Sequence, residues 1–108
     1  MLKTKIKILP SDRISLTQDQ KNLIELAFVK QIPPEDAKFL ERVQKEAGGK
    51  IQPEGQSFAK LSNYFIKKYD IEFGMLLLAA VMGGKDQYNI TKKSIEELNA
   101  KKRIDNQN

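Results

Sequence analysis

The most apolar stretch of this chain, residues 71–82, limits what the sequence can fold into. It holds one charged residue, Glu72, and is followed at once by Gly83 and Gly84. A helix that is apolar on all sides has to be buried, either in a protein core or in lipid. At about 1.5 Å per residue it reaches roughly 18 Å, well short of the ~30 Å hydrocarbon layer of a bilayer. The stretch therefore predicts the central core helix of a water-soluble domain, and we expect no membrane partner.

The amino-acid composition excludes several kinds of catalytic and metal-binding site. The chain has 108 residues, which fits a single domain over residues 1–108, and it contains neither Cys nor His. Disulfides, thiolate nucleophiles, imidazole bases and Cys/His zinc sites are thereby excluded. We therefore expect no enzyme activity, no cofactor, no metal and no small-molecule substrate. The carboxylates are expected to face solvent or to cap helices.

The net charge of +5 favours a partner with negative charge. The basic excess lies in residues 1–10, 55–70 and 85–108, while the rest of the chain is slightly acidic. An apolar N-terminal signal sequence is not expected, because lysines interrupt the first ten residues. The expected location is cytoplasmic.

The N-terminal arm, residues 1–12, begins with the period-two alternation of a strand that has one apolar face. The apolar positions that would contact a partner are Leu2, Ile6 and Ile8, and they alternate with Lys3, Lys5 and Lys7. Residues 13–108 hold no second run of this kind. Two interpretations stay open: an arm that lies on the helices, or a strand that pairs with another chain.

The helical periodicity of the remaining residues predicts an all-α bundle of about five helices around residues 71–82, with a frayed C-terminus at 104–108. The predicted helices begin near Ser15 or Thr17, at Pro34, near Ser57, at Ile71, and at Asn89 or Thr91. Gly83 and Gly84 are expected to end the apolar helix, and a connection is expected to lead from there to Asn89.

Local signals support several of these boundaries. Thr17 and Gln20 have the spacing of a capping box, Pro34 suits the first position of a helix, and Asp70 is expected to cap the apolar helix that follows it. Glu35 and Asp36 follow in the first turn of that helix, where the helix dipole favours negative charge, so we do not interpret them as a catalytic pair. Gly74, inside the apolar helix, predicts the close approach of another backbone.

Two basic helices and the arm form a candidate nucleic-acid surface. In helix 57–69, lysines alternate with an aromatic side chain, as in proteins that hold phosphates and stack bases. Helix 91–102 is basic at both ends, although Glu96 and Glu97 lie between, and its lysines would also complement the helix dipole. A second interpretation of Tyr64 is a half-buried side chain whose hydroxyl group faces water. The candidate residues are Lys3, Lys5, Lys7, Lys60, Tyr64, Lys67, Lys68, Lys92, Lys93, Lys101, Lys102 and Arg103.

Two classes of function therefore remain. The first is a protein–protein interaction module, an adaptor, inhibitor or assembly subunit, that uses an apolar groove or the N-terminal arm to bind another protein or a second copy of itself. The alternative is a small basic protein that binds nucleic acid through helix 57–69 and helix 91–102. The helix order resembles a helix-turn-helix, but the connection from Gly83 to Asn89 is longer than the three or four residues usual there.

Overall fold

A computed structural model describes residues 6–52 and 54–106 of the chain. A single 3₁₀ turn, Pro10–Asp12, precedes four α-helices: α1, Gln18–Phe28; α2, Pro34–Glu46; α3, Gln56–Lys68; and α4, Ile71–Asp105. Within these ranges no strand forms. The all-α class is confirmed, with four helices where about five were predicted. None of the helices in the described ranges combines the length and the apolar character needed to cross a bilayer.

The fourth helix reverses its direction. Its backbone is helical except at Gly84, where φ is 73° and ψ is −160°. In a straight helix Glu72 and Asn99 would lie about 40 Å apart, yet the Asn99 side-chain amide donates a 2.9 Å hydrogen bond to Glu72 Oε2. α4 is therefore an antiparallel hairpin. Its first arm covers residues 71–83 and its second arm residues 85–105.

This hairpin corrects three predictions. The predicted linker between the apolar helix and the basic helix that follows it does not form, because residues 85–89 are already helical. The last helix begins directly after Gly84, and not at Asn89 or Thr91, since a single residue with positive φ is enough to turn the chain back. Ile104 and Asp105, which were expected to fray, belong to the helix. Residues 107–108 lie outside the described residues.

The first arm of α4 supplies the largest share of the core. Its fully buried side chains are Phe73, Leu76, Leu77, Leu78, Ala80 and Val81. They pack on α3 and α1, whose buried residues include Leu61, Phe65, Ile24 and Ala27. Burial on all sides was predicted and is not found: Ile71 is exposed, while Met75, Ala79 and Met82 are half-buried. One side of this arm stays open.

Several local predictions are confirmed. Thr17 and Gln20 form the capping box of α1, and Pro34 is the first residue of α2. Asp70 caps α4 by accepting a hydrogen bond from the Phe73 amide. Gly74 lies against the α3 backbone: a Cβ atom added there would be 2.6 Å from the carbonyl oxygen of Phe65. Only a residue without a side chain allows the two helices to approach this closely.

The part of the arm that can be described packs on the second arm of α4. Ile6–Leu9 is not helical, and the 3₁₀ turn follows. The Arg103 guanidinium donates to the backbone carbonyl of Lys7 at 3.2 Å. Leu2, Lys3 and Lys5 lie outside the described residues. Pairing of the arm with another chain stays a prediction.

We expect Gly74→Ala to lower the free energy of unfolding by about 1–3 kcal/mol, because the added methyl group overpacks the α3–α4 contact. Helix propensity alone would change stability by about 1 kcal/mol in the opposite direction. Urea unfolding followed by circular dichroism measures the difference, and Ala59→Gly on the exposed side of α3 calibrates the propensity effect. A Gly74→Ala protein more stable than the parent by about 1 kcal/mol, the gain from helix propensity alone, would show that the two backbones are not in contact.

Candidate functional site

A buried carboxylate lies where α2 meets α3. The Asp36 side chain is completely buried, with 0% of its surface exposed. Tyr64 Oη and Lys68 Nζ each donate to Asp36 Oδ1 at 2.7 Å, and Tyr69 Oη donates to Oδ2. Lys68 Nζ also donates to Glu35 Oε2 at 3.2 Å. We call Asp36, Tyr64, Lys68 and Tyr69 the Asp36 cluster.

The electrostatics of the Asp36 cluster favour the charged form of the carboxylate. Burial opposes ionisation, but the hydrogen bonds from Lys68, Tyr69 and Tyr64 outweigh it and hold the pKa of Asp36 below its usual value. The hydrogen bond that Lys68 donates to Asp36 raises the pKa of Lys68. Burial, together with the hydrogen bond to Asp36, raises the pKa of Tyr69 to about 12 and also raises that of Tyr64. At neutral pH the cluster is thus an ion pair with two neutral phenols.

Aromatic rings surround the Asp36 cluster and pack between α2 and α3. The rings of Phe39 and Tyr64 stack with their centroids 4.2 Å apart. The Lys68 ammonium lies 5.9 Å from the Tyr64 ring and 5.5 Å from the Tyr69 ring, within the range of a cation–π contact. Both carboxylate oxygens of Asp36 accept hydrogen bonds within the fold. The Asp36 cluster and the surrounding rings hold α2 against α3.

A second polar cluster joins the N-terminal segment to α4. Asp12 is buried and pairs with Arg103, whose Nε lies 2.9 Å from Oδ1. This hydrogen bond, with a second from the Leu9 amide, lowers the pKa of Asp12. Asn99 donates to the Asp12 carbonyl oxygen, and Glu96 accepts from the Ile14 amide at 3.0 Å.

These contacts correct one expectation. The carboxylates were expected to face solvent or to cap helices, which is wrong for Asp36; Asp12 is buried, but it caps the 3₁₀ turn by accepting a hydrogen bond from the Leu9 amide. The sequence did carry a signal for Asp36: Phe39, Leu40 and Val43 follow it at the spacing of one helix face. Nothing in the sequence pairs that face with Tyr64 and Lys68.

The structure separates the nucleic-acid candidates into two groups. Tyr64, Lys68 and Arg103 take part in the two polar clusters, and the Lys60 ammonium lies 3.9 Å from Glu46 on the surface. Lys3 and Lys5 lie outside the described residues. The other candidates form no ion pair with a described residue, and all but the half-buried Lys92 are exposed: Lys7, Lys67, Lys92, Lys93, Lys101 and Lys102. Three of the described candidates, Tyr64, Lys68 and Arg103, are thus engaged within the fold.

The open side of the first arm of α4 forms an apolar groove. Its volume is about 320 Å³, and its lining residues are Ile51, Phe58, Met75, Leu78, Ala79, Met82, Gly83, Gln87 and Thr91. None of them is charged. A second depression of about 270 Å³ lies between α2 and α4, and Met82 lines both. We call the first of these the Met82 groove.

The described partner-binding candidates of the N-terminal arm lie outside the Met82 groove. Ile6 is 41% exposed and Ile8 is half-buried; neither lines the Met82 groove. The described residues contain no group of three Asp or Glu side chains placed to hold a metal ion. The Met82 groove is an open depression with an uncharged, mostly apolar lining.

Comparison with known proteins adds no further constraint: no family model, no curated protein and no solved structure matches this chain.

We expect Asp36→Asn to lower the free energy of unfolding at neutral pH by about 2–4 kcal/mol, because an amide replaces the buried carboxylate that accepts hydrogen bonds from Lys68, Tyr64 and Tyr69. The matched control is Glu35→Gln. Glu35 is 81% exposed, and an exposed pair contributes about 0–1 kcal/mol.

The pH dependence follows from the direction of the Asp36 pKa shift. Because the folded-state pKa lies below the unfolded value of about 3.9, the stabilisation is complete above that pH. It is lost as the pH falls through the folded-state value. Urea unfolding from pH 7 to pH 3 should show the difference between parent and Asp36→Asn shrinking in acid. A constant difference would mean that the charge of Asp36 is not what stabilises the fold.

Proposed function

We propose that this protein is a non-enzymatic protein–protein interaction module that binds its partner in the Met82 groove. The observation that carries the proposal is an uncharged, mostly apolar groove that the fold leaves open although its walls belong to the core helix. Exposed apolar patches of this kind are typical of interaction sites.

The lining of the Met82 groove favours an apolar, helical ligand. Met75 and Met82 are flexible and polarizable, so they adapt to side chains of different shape. Gln87 and Thr91, on the second arm, add neutral polar groups at one edge. The groove runs beside α3 and both arms of α4, which suits an amphipathic helix that inserts one or two large apolar side chains.

The placement of α2 supports the same proposal. α2 packs on α3 through the Asp36 cluster and the Phe39–Tyr64 stack. Its apolar residues Ala37 and Leu40 line the depression next to Met82 and do not fill it. The second depression therefore extends the apolar surface beyond the Met82 groove, toward the rim residues Lys30 and Glu41.

The titratable side chains support a non-enzymatic role. The most perturbed groups belong to the Asp36 cluster, where each donor and acceptor already has a partner inside the fold. A catalytic acid or base needs to reach a substrate proton within hydrogen-bonding distance. A completely buried Asp36 offers no such access.

Binding of nucleic acid is the second candidate. The hairpin of α4 brings the end of its second arm close to the beginning of its first arm, as the Asn99–Glu72 hydrogen bond shows. Lys101 and Lys102 are exposed two and three residues after Asn99, and Lys67 is exposed one residue before the end of α3. These three lysines are the part of the predicted surface that supports phosphate contacts, which would weaken steeply with salt.

The first test is to find what contacts the Met82 groove. A photoreactive benzoylphenylalanine replaces Gln87, which is exposed at the groove, and in a control protein replaces Asn63, which is exposed on α3. After irradiation in the cells that make the protein, we expect one protein species cross-linked from position 87 and absent from position 63. Cross-linking to nucleic acid would favour the second candidate, and equal products from both positions would contradict the groove.

We then expect Gln87→Glu to weaken binding of the purified partner about tenfold, because an apolar ligand would bury the new charge without a counter-ion. Isothermal titration calorimetry measures the affinity. The control is the same isosteric change at Gln18, which is exposed at the start of α1, away from the groove. Undiminished affinity in Gln87→Glu would place the partner on another surface.

A further inference from the structure

α2 is attached to the other helices on one side only. Among the described helices it approaches α3, whereas α1 and α3 both pack on α4. On the side toward α4, Ala37 and Leu40 of α2 and Val81 and Met82 of α4 line an open depression of about 270 Å³. Moving α2 away would therefore leave the contacts of α1 and α3 with α4 intact.

α2 also buries little apolar surface. Of its 13 residues, only Asp36 and Val43 are buried. The ion pair between Asp36 and Lys68 adds little to the net attachment, because the cost of removing both charges from water offsets most of their attraction. If α2 moved away, water would hydrate both groups again. An element with few buried apolar contacts separates from a fold at a lower free energy than its core helices do.

Both ends of α2 are connected through residues with an unusual backbone conformation. Lys30, before α2, has a φ of 59°, which side-chain-bearing residues adopt at a cost. Gly48 and Gly49, after it, have φ values of 76° and 92°. A Cβ atom added at either glycine would meet no other atom within 4 Å, so packing does not fix the turn there. Hinges are formed by a few residues of this kind that absorb changes in φ and ψ.

We propose that residues 31–47 form a lid that opens and closes as one unit while α1, α3 and α4 stay folded. Opening removes one wall of the depression beside Met82 and uncovers the side of α3 that carries Tyr64 and Lys68. The detached segment loses its helix, because a helix of this length is marginal in water on its own. The lid thus controls access to the apolar surface beside Met82. Its test needs no groove partner, so it can fail or succeed separately from the proposed function.

The first experiment is amide hydrogen exchange of the parent protein, followed by NMR at neutral pH. The amides of Leu40 and Val43 should exchange at least about a hundredfold faster than those of Leu61 and Leu77, after correction for their intrinsic rates, because only the former exchange through the open lid. Equal protection of the two pairs would show one cooperative unit and would overturn the proposal.

Two glycine substitutions then separate lid opening from unfolding of the whole chain. Lys38 on α2 and Ala59 on α3 are both exposed, and a glycine at either position weakens its helix enough to speed exchange about fivefold. Lys38→Gly should do so for the amides of α2. Ala59→Gly should do so for the core amides of α3 and α4 but leave α2 within about 1.5-fold of the parent, since α3 is folded whether the lid is open or closed. An Ala59→Gly protein in which α2 accelerates as much as α3 would contradict the lid.

A thiol probe gives an independent measurement, because the chain has no cysteine of its own. Val43 on α2 and Ala27 on α1 are 2% and 0% exposed. The thiol of Val43→Cys should react with dithiobis(nitrobenzoate) at least about tenfold faster than that of Ala27→Cys, because lid opening exposes only the first. The added sulfur atom of Ala27→Cys overpacks its site and so biases the comparison against the expected result. Equal rates would overturn the proposal.

Discussion

The reversal of α4 at Gly84 is the constraint on which the rest of the structure depends. One residue with a positive φ turns a continuous helix back on itself, and glycine is the residue that adopts this backbone conformation without a steric penalty. The second arm then covers one side of the apolar first arm and leaves another side open. The Met82 groove lies along this hairpin and is lined by residues of both arms, with Gly83 next to the turn.

The same reversal creates the buried polar contacts at the other end of the hairpin. Glu72 is the only charged residue of the apolar stretch, and it reaches Asn99 because the second arm returns. Asn99 and Arg103 then hold the carbonyl and the carboxylate of Asp12. Burying a carboxylate is unfavourable unless it is paired and hydrogen-bonded. These polar contacts fix the N-terminal segment to α4, next to the buried side chain of Ile14.

The sequence predicted those features that depend on neighbouring residues. The capping box at Thr17, the Asp70 cap and the proline at the start of α2 are local, and they were located correctly. Gly74 was also informative, because a glycine costs helix stability and is favoured inside an apolar helix where a neighbouring backbone leaves no room for a side chain. The turn at Gly84 was not predictable in the same way: two glycines typically end a helix, and the choice between a linker and an immediate reversal depends on what the second arm packs against.

The polar clusters show why the candidate site was harder to predict than the fold. Lys68 and Tyr64 are four residues apart on α3, which is equally compatible with a phosphate-binding surface and with a buried pair. Asp36, 28 residues earlier than Tyr64, determines which of the two forms. A contact at that separation leaves no periodic signal in the sequence. Because Asp36 and Asp12 take up Lys68 and Arg103, two of the cations that favoured nucleic acid already have partners within the fold. The proposal of a protein partner therefore rests on the uncharged Met82 groove and not on the distribution of the lysines.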